Sequence, residues 1–332
     1  MAGKSDSQLF QNKYDRERKK IDEKLSRLLK NHKPKSLYEP CEYIISNGGK
    51  RLRPLLVLFS AEAVGGKFSQ AYNAAVGVEL LHNFTLVHDD IMDNSDLRRG
   101  RITLHKKYNV NTAILAGDNL IGIAYNSLLK DSKTNCVQIV SSFTNAIIEV
   151  CEGQSYDTDF ELKKSVTVED YLLMINKKTA VLLERCCEIG GLIGGGSKND
   201  VIALKKYGHN IGMAFQFQDD LLDIMGNQEK FGKPIGADLV EGKKTFLFLR
   251  ALEKAKGKDK SNLTAVIKNK GVEKDQIDYF RKMYIKLGVL EEAKDEIDRY
   301  TKLALKSISS LENKSSVKLF EWLANYLIKR SY

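Results

Sequence analysis

The sequence predicts an all-α protein, and three observations support this prediction. Three of the four prolines lie before residue 55, so the rest of the chain contains one interior helix breaker, Pro234. Long apolar runs with small residues interspersed, such as residues 71–92 and 200–225, have the length and spacing of helices. Alternating strand patterns bounded by hairpin turns are absent from the sequence.

The predicted helices are expected to form a single domain over residues 1–332, as a bundle of roughly ten or more helices. No linker or low-complexity tract divides the sequence. Runs that are apolar on more than one face are expected at the centre, and the lysine-rich amphipathic stretches 11–35 and 252–315 at the periphery. The segment GGLIGGGS at 190–197 is expected to be a loop or helix end, because phosphate-loop and dinucleotide spacings are absent.

Composition narrows the class of protein. The 53 lysines and arginines exceed the 43 acids, for a net charge of +10, but they are interleaved with acids, which favours a solvated surface over a nucleic-acid site. The surplus could still attract an acidic substrate or an anionic membrane surface. No apolar run is long enough for a transmembrane segment and the opening is polar, so we expect a soluble, cytoplasmic protein. The five cysteines lack a CxxC spacing and are expected to be reduced, buried, small apolar residues.

The stretch LVHDDIMDNSDLRRGR, residues 86–101, crowds three aspartates at the predicted C-terminal end of a helix. Asp89 and Asp93 are four residues apart and share a helix face, whereas Asp90 projects about 100° away. The helix macrodipole disfavours negative charge at this end, so the cluster is destabilising unless a cation binds. Mg²⁺ suits it, because this ion takes one or two carboxylates and completes its coordination with water and phosphate oxygens. The alternative is a solvated acidic helix end.

A second acid motif, FQFQDDLLD at 215–223, repeats the spacing at the end of another apolar run. Its acids are Asp219, Asp220 and Asp223. Two matching clusters favour a metal site over two unrelated helix ends. If they face each other across a cavity, they can hold several Mg²⁺ ions around one diphosphate.

Basic side chains recur beside the acid motifs. Each basic side chain, taken singly, is better interpreted as a surface residue than as a ligand of an anion. Their recurrence, however, argues that the protein binds two anionic ligands. They are Lys50 and Arg53 in GGKRLRP, Arg98, Arg99, Lys178 next to Thr179, and Lys233 and Lys243.

Together the motifs resemble those of the trans-isoprenyl diphosphate synthases, in order and spacing, from residue 48 to residue 245. The resemblance implies the isoprenoid synthase fold, a homodimeric all-α fold with a central cavity between the two aspartate motifs. It also implies a Mg²⁺-dependent prenyltransferase that adds isopentenyl diphosphate head-to-tail to an allylic diphosphate. The motifs are GGKRLRP, LLHNFTLVHDDIMDNSDLRRG, EGQSYD, KKTA, FQFQDDLLD and FGKPIGADLVEGKKT.

The resemblance assigns the metal-binding and catalytic roles to acids and two cations. The direct Mg²⁺ ligands it implies are Asp89, Asp93 and Asp219. The supporting acids are Asp90, Asp220 and Asp223, and the catalytic set adds Arg98 and Lys178.

It also assigns the two diphosphate sites. Without the motif, His82 would be interpreted as a satisfied histidine on an apolar helix, and Lys243 is chosen over Lys244 from the EGK register. The isopentenyl diphosphate site comprises Lys50, Arg53, His82 and Arg99. The allylic diphosphate site comprises Arg98, Lys178, Thr179, Gln216, Lys233 and Lys243, with Gln154 and Asp157 near Lys178.

Product length is expected to depend on Phe84 and Thr85, the fifth and fourth residues before Asp89, about 7 Å along the helix from the reactive end. A bulky ring there would act as the floor of the pocket for the growing chain. Similar family members with an aromatic residue here and a small neighbour make short products, which implies geranylgeranyl diphosphate, C20. Ordinary core packing of Phe84, and a farnesyl or a longer product, are the alternatives.

Other classes of protein fit the sequence less well. A catalytically silent partner subunit would be expected to lose acids from one cluster, and this chain keeps all six. A terpene cyclase would have no use for GGKRLRP and His82 as a second diphosphate site. A nucleic-acid-binding helical protein would leave the acid motifs unexplained, so we expect no nucleic-acid partner.

Overall fold

A computed structural model describes residues 4–226 and 235–328 of the chain. Almost all regular structure there is helical, so the all-α prediction is confirmed, including its ten or more helices. A two-stranded hairpin, β1 Leu97–Arg98 and β2 Arg101–Ile102, follows α4, and a π-helical turn, Asn176–Ala180, separates α8 from α9. The helices are α1 Lys4–Leu29, α2 Lys35–Ile45, α3 Leu52–Ala63, α4 Tyr72–Met92, α5 Leu104–Lys107, α6 Val110–Asp131, α7 Cys136–Leu162, α8 Val168–Ile175, α9 Val181–Ile193, α10 Lys198–Met225, α11 Ala237–Val240, α12 Phe246–Lys254, α13 Gly257–Asn269, α14 Ile277–Leu287, α15 Val289–Ser307 and α16 Lys314–Ile328.

The chain divides into two compact units. The first unit contains the described residues up to Ile147, together with Leu183–Gly208 and Ser307–Trp322. The second contains Ile148–Leu182, His209–Lys306 and the described residues from Leu323. One domain over residues 1–332 stays a prediction.

In the first unit, α4 packs along α6 at close range. Every residue of α4 from Ala74 to Leu81 is buried, as expected for a central helix that is apolar on more than one face. Gly77 permits the contact, because a Cβ there would stand 2.8 Å from the carbonyl oxygen of Ala124 in α6.

In the second unit, aromatic rings of three other helices contact Phe217 of α10. Its ring lies edge-on to Phe246, with centroids 4.9 Å apart, and stacks on Tyr300 at 5.8 Å. Tyr171 of α8 meets it at 6.5 Å. This cluster anchors α10 two residues before Asp219, so that packing fixes the position of the acids.

The peripheral helices bury one face each. On α1 the buried side chains include Tyr14, Ile21 and Leu25, and α15 buries a stripe from Leu290 to Ile297. In the described parts of the chain, no helix is both long and apolar enough to span a bilayer. The cysteines are free thiols; burial is confirmed for three of them, but the expectation was wrong for the two that lie on exposed turns of α7, Cys136 and Cys151.

The segment 190–197 ends α9 and also packs it against α3 in the first unit. A Cβ on Gly190 would stand 2.2 Å from the carbonyl oxygen of Val57, so the two backbones are in contact. Gly195, at φ 78°, ends the helix in a left-handed turn. The expected helix end is therefore present, and its first glycines serve helix packing.

We predict that Gly190→Ala lowers the free energy of unfolding by about 1–3 kcal/mol, because α3 must move away. The matched control is Gly191→Ala, whose new Cβ would meet a movable methyl group of Leu204 at 3.0 Å, and whose effect should stay within about 1 kcal/mol. Urea unfolding of both variants measures the difference. Equal effects at the two glycines would contradict the backbone contact.

Candidate active site

The first acid motif lies at the C-terminal end of α4, as the sequence predicts. The peptide N–H of Asp93, the C-cap residue, donates to the carbonyl of Asp89. Asp90 is 1% exposed, Asp89 is half-buried and Asp93 is exposed. The motif therefore separates an inward carboxylate from two that reach solvent.

Arg98 of β1 contacts the buried acid. Its Nε donates to Oδ1 of Asp90 at 2.7 Å, whereas the second carboxylate oxygen has no hydrogen-bond partner within the described residues. Burial raises the pKa of Asp90 in spite of Arg98. Arg98, expected at the allylic diphosphate, thus already holds one member of the acid motif.

The GGKRLRP segment and α4 share a basic neighbourhood in the first unit. Nη1 of Arg53 donates to Nε2 of His82 at 3.1 Å, so this ring nitrogen is an acceptor. Burial, and then the charges of Arg53 and other arginines, hold the pKa of His82 well below its usual range. The imidazole is consequently neutral. Lys50, three residues before Arg53, is exposed on the loop.

Arg99 joins the hairpin to this loop. Its backbone is left-handed, at φ 52°, and its Nη1 donates to the carbonyl oxygen of Gly48 at 2.6 Å. Gly49 admits the guanidinium, since a Cβ there would stand 2.7 Å from it. Asn47 also donates to the carbonyl of Arg98 at 3.3 Å. Arg98 and Arg99 therefore line one cleft of the first unit, together with Asp90 and with Asn47, the residue before the GGKRLRP segment.

The second acid motif lies at the C-terminal end of α10, in the second unit. Asp220 is 5% exposed and accepts hydrogen bonds from the hydroxyl of Tyr171 and, at 2.9 Å, from the amide of Gln216. Burial and the nearby charge of Asp238 raise the pKa of Asp220 to about 8. Asp223 accepts from the peptide N–H of Asp238 at 3.3 Å.

Asp238, on α11, was missed as a site residue by the sequence analysis. It lies with Asp220 and Asp223 around a cleft of the second unit. The sequence could have identified Asp238, because this residue falls inside the FGKPIGADLVEGKKT motif. It was missed because it is not part of a DDxxD pattern.

The adjacent lysines after α11 point to different partners. Nζ of Lys243 lies 2.8 Å from a carboxylate oxygen of Glu241 and 3.9 Å from Asp238, at the acid cleft. Lys244 instead donates to the carbonyl of Phe160. Of the two, Lys243 is the one near the acids.

Lys178 and Thr179 lie in the π-helical turn between α8 and α9. The ammonium of Lys178 pairs with Asp157, and the Thr179 hydroxyl donates to Oε1 of Gln216 at 2.9 Å. Gly153 of α7 lets this turn approach, because a Cβ there would stand 2.3 Å from the peptide nitrogen of Lys178. π-Helical turns of this kind are frequent at functional sites.

The remaining predicted residues are distributed as follows. Gln154 is buried, with an amide oxygen that has no partner in the described structure. The ring of Phe84 is 7% exposed and lies edge-on to His88, with centroids 4.5 Å apart. The Thr85 hydroxyl donates to the carbonyl of His82. Lys233 lies outside the described residues.

The acid motifs fit magnesium by the chemistry of their donors. Carboxylate oxygens are the ligands that Mg²⁺ prefers. A nearby cation would also offset the burial and the charge of Asp238, which raise the pKa of Asp220. Over residues 4–226 and 235–328, no three acid, histidine or cysteine side chains converge to hold an ion by themselves. Such sites suit Mg²⁺ when water and phosphate oxygens complete its coordination.

Comparisons with known proteins agree with this chemistry. The sequence matches the polyprenyl synthetase family over residues 34–284. It is 40% identical to a geranylgeranyl diphosphate synthase of Saccharolobus solfataricus, over 89% of this chain and 91% of the relative. It is 36% identical to a geranylfarnesyl diphosphate synthase of Natronomonas pharaonis, over 94% and 95%. The crystal structure of geranylgeranyl pyrophosphate synthetase from Pyrococcus horikoshii superposes with a TM-score of 0.89 at 36% identity, covering 98% of this chain and 99% of that one.

Proposed function

The chain belongs to the polyprenyl synthetase family and is a prenyltransferase, and on this premise we propose that it adds isopentenyl diphosphate to an allylic diphosphate to make geranylgeranyl diphosphate. The observation that supports this best is that each unit combines an acid motif at a helix C-terminal end with cationic side chains. A diphosphate that carries Mg²⁺ needs both kinds of partner.

The isopentenyl diphosphate is proposed to bind in the first unit. Lys50 and Arg53 supply charge from one side and Arg99 from the other. A neutral His82 orients the Arg53 guanidinium and adds no repulsion between cations.

The allylic diphosphate is proposed to bind cationic side chains and Mg²⁺. Asp89, Asp93 and Asp219 are the proposed Mg²⁺ ligands, and Asp90, Asp220 and Asp223 are the proposed supporting acids. Bound magnesium would neutralise negative charge as it develops on the departing diphosphate. Gln216 holds Asp220 with its amide and Thr179 with its carbonyl oxygen, which fixes the orientation of that acid. The allylic diphosphate is proposed to contact Arg98, Lys178, Thr179, Gln216 and Lys243, with Lys233 outside the described residues.

The reacting hydrocarbon chains need walls without nucleophiles. The buried side chains of α4, including Phe84 and Val87, provide such a wall in the first unit. After the new carbon–carbon bond forms a proton must leave, and the released diphosphate is the proposed acceptor.

A homodimer is proposed as the assembly, and exposed apolar side chains of α6 support it. Ile114 is 41% exposed, Leu115 60% and Leu129 49%. Exposed apolar residues grouped on one helix are typical of an interface between subunits.

The reaction is tested by incubating the protein with Mg²⁺, isopentenyl diphosphate and each allylic starter, and sizing the prenols. We predict that Asp89→Ala/Asp93→Ala and, separately, Asp219→Ala lower kcat by about 100-fold or more, because charge on the leaving group loses its partners. The matched control, Asp96→Ala, removes an exposed acid next to the hairpin and should keep wild-type activity. A tenfold loss or less in both acid variants would contradict the proposal.

Product length tests the role of Phe84. Phe84→Ala should shift the main product from C20 to longer chains, because the pocket loses its floor. Phe68→Ala removes an aromatic ring elsewhere in the first unit, where it packs on Phe59, and should leave C20 as the product. An unchanged product distribution in Phe84→Ala would assign this ring to core packing alone.

Light scattering tests the assembly. The wild type is expected to have twice the mass of one chain, and Leu115→Glu to have the mass of one, since a buried charge opposes association. Leu303→Glu, at a leucine of α15 that is 41% exposed, is the control and should remain dimeric. A wild type with the mass of a single chain would disprove the proposed dimer.

A further inference from the structure

Arg51 lies between two proposed diphosphate ligands, Lys50 and Arg53, but differs from both. Arg51 is 4% exposed, whereas Lys50 is exposed and Arg53 half-buried. Its backbone is left-handed, at φ 50°, immediately before α3 begins. An arginine rarely adopts this conformation without compensating contacts.

The guanidinium of Arg51 joins three helices. Its Nε donates to Oδ1 of Asp22 in α1 at 2.8 Å, and its Nη1 to Oε1 of Glu79 in α4 at 2.6 Å. Its Nη2 donates to the carbonyl oxygen of Ile45 at the end of α2, at 2.8 Å. The planar fork of arginine can satisfy three acceptors in fixed directions, which a lysine ammonium cannot do with the same geometry.

The bond between Arg51 and Glu79 connects Arg51 with residues near the proposed isopentenyl diphosphate site. Glu79 is 3% exposed, and both its carbonyl oxygen and its carboxylate accept from the amide of Asn83. Asn83 lines the cleft that also contains Arg99, and His82 is its neighbour on α4. Arg51 therefore ties the GGKRLRP loop to α4, the helix that carries Asn83 and His82.

We infer that Arg51 is a positioning residue for the isopentenyl diphosphate site: its bonds to Asp22, Glu79 and the Ile45 carbonyl hold the loop so that Lys50 and Arg53 face the diphosphate. This inference rests on the proposed function. Arg51 itself is not expected to contact the substrate. Its effect is geometric, because a displacement of about 1 Å in binding groups is enough to cost affinity and rate.

The test is steady-state kinetics with each substrate varied in turn. Arg51→Lys keeps the positive charge but loses the planar guanidinium, and should raise the KM for isopentenyl diphosphate about tenfold. The KM for the allylic substrate and the kcat should stay within about twofold of the wild-type values. Asp22→Asn weakens one contact from a partly exposed partner and should produce a smaller change of the same kind, which keeps the test open if Arg51→Lys does not fold. Calorimetry with inorganic pyrophosphate gives a readout without turnover and should show weaker binding in Arg51→Lys.

The matched control is Arg185→Lys. Arg185 is also largely buried and paired, with Nη1 2.8 Å from Glu188 on α9 in the same unit. This variant should lower stability without separating the two KM values.

Two results would overturn the inference: both KM values rising together in Arg51→Lys, or neither changing while pyrophosphate binds as in the wild type. Failure of the proposed function looks different, because the wild type itself would then elongate no allylic starter.

Discussion

Carboxylates placed at the C-terminal ends of buried helices are the constraint on which the rest of this structure depends. The helix dipole and burial both oppose negative charge there. In the first unit a cation stabilises the buried acid, since Arg98 donates to Asp90. In the second unit neutral donors do so, since Tyr171 and Gln216 donate to Asp220. Burial and the nearby charge of Asp238 raise the pKa of Asp220 to about 8 in spite of these hydrogen bonds, so a bound cation would favour its ionised form.

Arginines perform two different tasks around these acids. Arg98 and Arg99, adjacent in sequence, reach an acid and a peptide carbonyl respectively, and both still border the same cleft. Arg51 instead is withdrawn into the protein, where three acceptors surround it. The same residue type thus provides charge at the surface of the cleft and rigidity behind it, and the difference lies in burial and in the number of acceptors.

Sequence reasoning reached the helices and the location of the acids at their ends, because helical periodicity and like-charge crowding are local properties. It did not reach Arg51, whose partners Asp22 and Glu79 lie 29 residues before and 28 residues after it. It also missed Asp238, which joins the second cluster through the bond from its peptide N–H to Asp223 and not through spacing. The π-helical turn at Lys178 likewise lies against Gly153 of another helix, 25 residues earlier in the sequence. Contacts between distant segments are what the pattern of one sequence leaves out.

The bond between Arg99 and the carbonyl of Gly48 has a thermodynamic consequence. A phosphate group that binds through the same N–H displaces a peptide oxygen as well as solvent, so ligation through that N–H is an exchange of acceptors. Much of the enthalpy of the new contact is offset by the loss of the old one. The gain in affinity at this position then comes from the higher charge of the arriving oxygen and from the water that both partners release.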